Sequence, residues 1–104
     1  MSDKAAAAKA SVSYLEGLRE DLQDPEEAAA YLDAAMEEGS QEAFLLALRD
    51  VAEARGLSQV AREASLNREH LYRALSEKGN PQLSNLFSLL DSVGLRLRVA
   101  VKPA

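Results

Sequence analysis

Residues 57–94 read LSQVAREASLNREHLYRALSEKGNPQLSNLFSLLDSVG, and this stretch decides the fold. Its punctuation predicts a short helix from Ser58 to about Ala64, a tight turn, and a second short helix from Asn67 to about Ser76. A loop and a third helix ended by Gly94 follow. The two short helices need support, because isolated helices are marginal in water below about 12–15 residues. Leu66, Leu71 and Leu75 give them an inward face, and Ala61 is small where two helices would cross. Asn67, Arg68, Glu69, Tyr72 and Arg73 are left facing outward at the start of the second helix. A helix-turn-helix offers its reading helix to the DNA major groove in this way.

Downstream, Glu77-Lys78-Gly79-Asn80-Pro81 reads as a loop in which Asn80-Pro81 is a helix cap followed by proline. The helix after it is expected to bury Leu83, Leu86, Phe87, Leu90 and Val93. The hydrophobic period then falls from 3.6 to 2. Leu95, Leu97, Val99 and Val101 alternate with Arg96, Arg98, Ala100 and Lys102, which predicts a strand with one apolar face. No second strand is legible. The segment must pair with another chain, across a seam of Leu95, Leu97, Val99 and Val101, or lie as an extended tail on its own helices.

Upstream, Ser40 caps a helix with Ala43, Phe44, Ala47, Leu48, Val51 and Ala52 on one face, and Gly56 stops it. Before that, Asp24-Pro25-Glu26-Glu27 supplies a cap, a proline at the first helical position and a carboxylate at the third. This helix is expected to reach about Glu38, with an apolar stripe of Ala28, Tyr31, Leu32, Ala35 and Met36. Tyr14, Leu15, Leu18 and Leu22 recur at helical spacing in a further short helix, and the first dozen residues read as a frayed tail.

Charge separates along the chain. The net charge is −5, but residues 1–50 carry four Lys and Arg against twelve Asp and Glu, a net −8. Residues 51–104 carry eight against five, a net +3. DNA responds to a local basic face and not to an average. An acidic half joined to a mildly basic half suggests two partners, with solvated helix faces as the plain alternative.

The side chains bear this chemistry out. Arginine bonds guanine bidentately, and glutamate accepts from a cytosine amine. Lys78, Asn80 and the amides opening the first short helix suit phosphate oxygens. No cysteine is present, which removes disulfides, thiol nucleophiles and thiolate metal sites. His70 is the only histidine and has no ligand-spaced companion, so packing or phosphate contact is its expected role. No nucleophile, phosphate-cradling loop or metal set is legible, and neither an enzyme nor a cofactor is expected. The N-terminal stretch does not read as a signal peptide, and no run reaches transmembrane length.

The segment GLSQVAREASLNREHLYRALSEKGNPQLSNLFSLLDSVGLRLRV resembles the Xre-type helix-turn-helix of HigA-like antitoxins. With Ala29-Ala30-Tyr31-Leu32 and Glu37-Glu38-Gly39 ahead of it, the chain is similar, over about residues 13–101, to the addiction module antidote proteins. Gly56-Leu57-Ser58-Gln59, Leu71-Tyr72-x-Ala74-Leu75 and Gly79-Asn80-Pro81 are its most specific parts. Two departures stand out. The first short helix opens Ser58-Gln59-Val60-Ala61 where the family commonly has Thr-Gln-x-x-Leu-Ala, and it is two residues shorter. Ser65 stands where the turn usually has Gly, so either Ser65 takes a left-handed backbone or the turn differs.

The resemblance implies an all-α, lambda-repressor-like (Xre) domain over residues 40–94. A flexible tail (1–12) and an acidic helical extension (13–39) precede it, and a C-terminal strand and tail (95–104) follow. It implies a bacterial, cytoplasmic antitoxin of a type II toxin–antitoxin module that represses its operon as a homodimer on duplex operator DNA. Its second partner would be a RelE/HigB-like toxin. Ser58, Gln59, Asn67, Arg68, Glu69, His70, Tyr72, Arg73, Lys78 and Asn80 form the expected DNA-facing set. Tyr14, Leu15, Leu18, Tyr31, Leu32 and Met36 are the expected toxin-facing set, unless those stripes only pack on each other and on the helix from Ser40 to Arg55. The alternatives are a stand-alone helix-turn-helix regulator without a toxin, and an interaction adaptor that has lost DNA binding.

Overall fold

The computed structural model describes residues 14, 16–76 and 78–104. Helix α1 covers residues 16–22. It is followed by α2 (Pro25–Glu37), α3 (Gln41–Arg55), α4 (Leu57–Glu63), α5 (Arg68–Ala74) and α6 (Leu83–Ser92). Leu15, the first thirteen residues and Glu77 lie outside the described residues, and with them the tail expected over 1–12. Among the described residues no helix is long and apolar enough to cross a membrane.

Three helix starts follow from local chemistry. The Asp24 carboxylate accepts from the Glu26 amide at 3.0 Å, with Pro25 at the first helical position. The Ser40 hydroxyl accepts from the Ala43 amide at 3.0 Å. The Asn67 side-chain carbonyl accepts from the His70 amide at 2.7 Å. Each such cap stabilises its helix by about 1 kcal/mol relative to alanine.

Two helix starts differ from the expected ones. Helix α4 begins at Leu57, one residue earlier than read, and Gly56 precedes it without a side-chain cap. Helix α6 begins at Leu83 behind Gln82, so Asn80-Pro81 belongs to the connection and not to the helix start.

The core is continuous. Leu45, Leu48, Val51, Val60, Leu71, Leu75 and Leu89 are its largest fully buried side chains. Helix α4 packs against α3, α5 and α6, which gives two seven-residue helices the support they need. Helix α2 lies along α3 and sends Ala28 and Leu32 into the same cluster, joined there by Leu22 of α1. The Gln23 amide clamps this corner by donating to the Ala54 carbonyl at 3.2 Å. The acidic segment is therefore built into the same body as the helices it precedes.

The α4–α5 turn closes as a Schellman motif. The Leu66 amide donates to the Ala61 carbonyl at 2.8 Å, and the Ser65 amide to the Arg62 carbonyl at 3.2 Å. Ser65 takes φ +58°, the left-handed conformation that glycine adopts without strain. The first of the two sequence alternatives is thus realised, and the turn keeps its shape at the cost of strain. Helix α6 ends in the same motif, with Gly94 at φ +80° and the Leu95 amide donating to the Leu90 carbonyl at 2.8 Å.

The C-terminal strand is not seen. Residues 95–104 have no regular secondary structure, because a ladder needs a second row of amides and carbonyls and the described residues offer none. Two residues expected to be buried, Leu83 and Phe87, are instead exposed. Helical periodicity identifies an apolar stripe but does not say whether the chain itself covers it.

Candidate nucleic-acid interface

Helix α5 is anchored from below and open above. Leu71 and Leu75, four residues apart, are fully buried. Opposite them Arg68, Glu69, Tyr72 and Arg73 face solvent, as do Asn67 and His70 at the helix start. Replacing a buried leucine such as Leu71 by alanine costs about 2–5 kcal/mol, which measures how firmly this face is held outward.

Tyr72 has a second task. The Arg49 guanidinium lies 4.0 Å from the centre of its ring. Arg49 Nε donates to Glu53 Oε1 at 3.0 Å, and Arg19 Nη2 reaches Glu53 Oε2 at 3.7 Å. Burial opposes the Arg49 charge, but its hydrogen bond to Glu53 and the neighbouring Tyr72 outweigh that and hold its pKa above the ordinary arginine value. The face of the Tyr72 ring is thus occupied by α3. Sequence reading missed Arg49 because the pairing is long-range.

Gly79 fixes the loop beside α5. A Cβ there would meet the Ala74 carbonyl oxygen at 2.0 Å, so no other residue fits this backbone. The Gly79 carbonyl accepts from the Gln41 amide at 3.2 Å, tying the loop to the start of α3. Lys78 and Asn80 are left exposed, and an open groove forms along His70, Arg73, Lys78, Asn80, Gln82 and Asn85. Gln82 and Asn85 were not singled out from sequence. Reading Asn80 as the cap put the start of α6 too early, which hid the face that Asn85 presents.

On α4, Ser58 and Gln59 are exposed, but the Gln59 amide donates to Glu63 Oε1 at 2.9 Å along its own helix. A phosphate contact by Gln59 would have to displace that bond. All ten residues of the expected DNA-facing set lie at the surface.

The expected toxin-facing set divides. Tyr14 and Met36 are exposed, Leu18 and Tyr31 half-buried, and Leu15 lies outside the described residues. Leu32 is only 5% exposed and belongs to the core, because the α2 stripe packs on α3. The Tyr31 hydroxyl donates to Asp50 Oδ2 at 2.5 Å. Burial, then the Asp50 carboxylate, push the phenol well above its ordinary pKa. An open cleft between α2 and α3, lined largely by alanines, carries the acidic groups Glu38, Glu42 and Asp50 beside Tyr31, a grouping not singled out from sequence. Leu97, Val99 and Val101 of the expected seam are exposed, and Leu95 is half-buried. Among the described residues no group of three or more His, Cys, Asp or Glu could hold a metal ion.

Fold and surface together define a small all-helical protein that presents a short polar helix on a buried leucine base. The chain belongs to the addiction module antidote family, whose model, described as probable addiction module antidote protein, matches residues 15–101. It is also similar to an uncharacterized protein of Haemophilus influenzae, 40% identical over 80 residues, which covers 77% of this chain and 82% of that protein. No solved structure matches the chain significantly. Family membership makes an antitoxin the coarse reading of the molecule.

Proposed function

We propose that the chain is the antitoxin of a bacterial type II module. In this reading α5 binds operator DNA as a repressor, and the acidic α1–α2 surface neutralises a RelE/HigB-like toxin in the cytoplasm. It works by binding, with no catalytic step. The carrying observation is the geometry of α5, whose Arg68, Glu69 and Arg73 stand outward over fully buried Leu71 and Leu75. Arg68 and Arg73 have the forked donors that suit guanine in the major groove. The groove through His70, Lys78, Asn80 and Asn85 suits the flanking phosphates. Tyr72, stacked under Arg49, braces the reading helix.

Charge distribution supports the toxin half of the proposal. Glu16, Glu20, Asp21, Glu26, Glu27 and Asp33 are all exposed, so the acidic surplus is at the surface. A toxin that acts on RNA needs a basic site, and an acidic partner is steered to it and competes with RNA there. Met36 supplies an exposed apolar anchor at the end of α2, and the cleft of Glu38, Glu42 and Asp50 suits a cationic side chain.

Removing α1 and α2 would not test this cleanly, because Leu22, Ala28 and Leu32 belong to the shared core. Neutralising the exposed Glu26, Glu27, Asp33 and Glu37 to their amides, with Met36→Ala, leaves that core intact. This variant should bind operator DNA yet fail to protect growing cells from the toxin. Full protection would place the toxin interface elsewhere.

A further inference from the structure

Beyond Leu95, which packs on the core, and Leu97, beside Phe44 and Leu86, the C-terminal tail has no backbone tie to the body of the protein. Among the described residues its last backbone hydrogen bond is from the Leu95 amide, and residues 96–104 make none. Val99 is 100% exposed and Val101 95%, although both sit on the apolar side of the alternation. Beside the tail runs an open groove along α6, lined by Phe87, Leu90, Leu95, Leu97 and Val99, with Phe87 half exposed. One chain therefore carries a protruding apolar edge and, next to it, an apolar groove that its own tail does not fill.

We infer that a second copy of this chain covers this face, the two tails pairing antiparallel across a two-fold axis at Val99. The occupant follows from self-complementarity. A two-fold operation sends each protruding valine edge to the other copy's groove, so both features are used twice in one isologous contact. The same operation gives each tail the row of amides and carbonyls that it lacks.

Register follows from pattern and length. Apolar residues face each other only when paired residue numbers sum to an even value, because side chains alternate with period 2. Leu95 has already committed its amide to Leu90 and Pro103 has none to give, so the free run is 96–102, and pairing all of it places the axis on Val99. Leu97 then faces Val101, and Arg98 faces Ala100. Arg96 opposite Lys102, towards the ends, is the one like-charged pairing. Arg98 and Lys102 alternate with the apolar residues and fall on the opposite face, while Arg96 borders the groove beside Asp91. Charges on the outer side keep it in water and discourage further sheet growth. The pairing does not depend on the DNA reading, and it brings two copies of α5 onto one particle.

The full chain tests this directly. Sedimentation should show a monomer–dimer equilibrium, and Val99→Lys should weaken it by at least about tenfold. Val99 is fully exposed in the single chain, so helical content should not change. The chain contains no cysteine, which makes Val99→Cys an unambiguous reporter. Across the axis its two Cα atoms would lie about 4.5–5.5 Å apart, within disulfide range. Val101→Cys would face Leu97, leaving its two copies about 13 Å apart along the ribbon. Mild oxidation should therefore link Val99→Cys dimers efficiently and Val101→Cys dimers poorly. A chain that stays monomeric at high micromolar concentration, or equal linking of the two variants, would overturn the proposal.

Discussion

The Arg49 guanidinium lies 4.0 Å from the centre of the Tyr72 ring and ties α3 to the outward face of α5. Arg49 is held in turn by Glu53, which Arg19 also approaches. The least supported helix, seven residues long, is thus braced from above by a stacked cation as well as from below by Leu71 and Leu75. A helix that must hold its arginines in register against a groove gains from both.

That brace depends on the ring and not on the phenol. Tyr72→Leu should lower stability by about 0.5–1 kcal/mol, the usual size of a partly exposed cation–π contact. Tyr72→Phe should stay close to wild type in both stability and DNA affinity. Urea denaturation of the three proteins checks the first point and DNA titration the second.

Ser65 carries strain that glycine would relieve. Its φ of +58° places the side chain in the left-handed region, at a cost of about 1–2 kcal/mol for residues other than glycine. Ser65→Gly should therefore raise stability by about 1 kcal/mol after the added freedom of the unfolded chain is counted. For a domain of this size the melting temperature should rise by about 4–8 °C, which calorimetry would read.

The reverse holds at Gly79. A methyl group there would sit 2.0 Å from the Ala74 carbonyl oxygen, so the loop must move. Gly79→Ala should destabilise by roughly 1–3 kcal/mol and displace Lys78 and Asn80 from beside Arg73. Comparing melting curves with DNA affinity would read both effects.

Tyr31 gives a pH dependence of definite sign. Its phenol is pushed above its ordinary value of 10.0, first by burial and then by Asp50. A raised pKa means the unfolded chain loses this proton first. The stabilisation is therefore complete below about pH 10 and is lost as pH rises from there through the higher folded pKa. Tyr31→Phe removes the hydrogen bond and should cost about 1 kcal/mol at neutral pH. The gap between wild type and variant should narrow above about pH 10, measured by denaturant titration.

The sequence was most legible where the physics is local. Asp24, Ser40 and Asn67 cap the helices they were expected to cap, because a short polar side chain bonds an amide two or three residues on. Leu71 and Leu75 were identifiable as anchors by spacing. Asn80-Pro81 shows the limit of such signals, since a cap followed by proline also suits a loop. Leu83 and Phe87 show another limit. Their periodicity is that of a core, yet they are exposed, because pattern alone does not separate a surface that the chain covers from one left for a partner. The strand expected over 95–101 failed for a related reason, as alternation supplies one edge of a ladder and the other must come from outside. The Arg49–Tyr72 stack and the Tyr31–Asp50 bond join separate helices, and no local rule could reveal them.

The most direct measurement is a fluorescence-anisotropy titration of wild type, Arg68→Ala, Arg73→Ala and Lys78→Ala against the DNA upstream of the chain's own reading frame. The salt concentration should be varied for each. Each arginine variant should lose about 1–3 kcal/mol and relax preference at one base pair. Lys78→Ala should weaken all sequences alike and reduce the salt slope by about one. Wild-type binding by both arginine variants would contradict the placement of α5 as the reading helix.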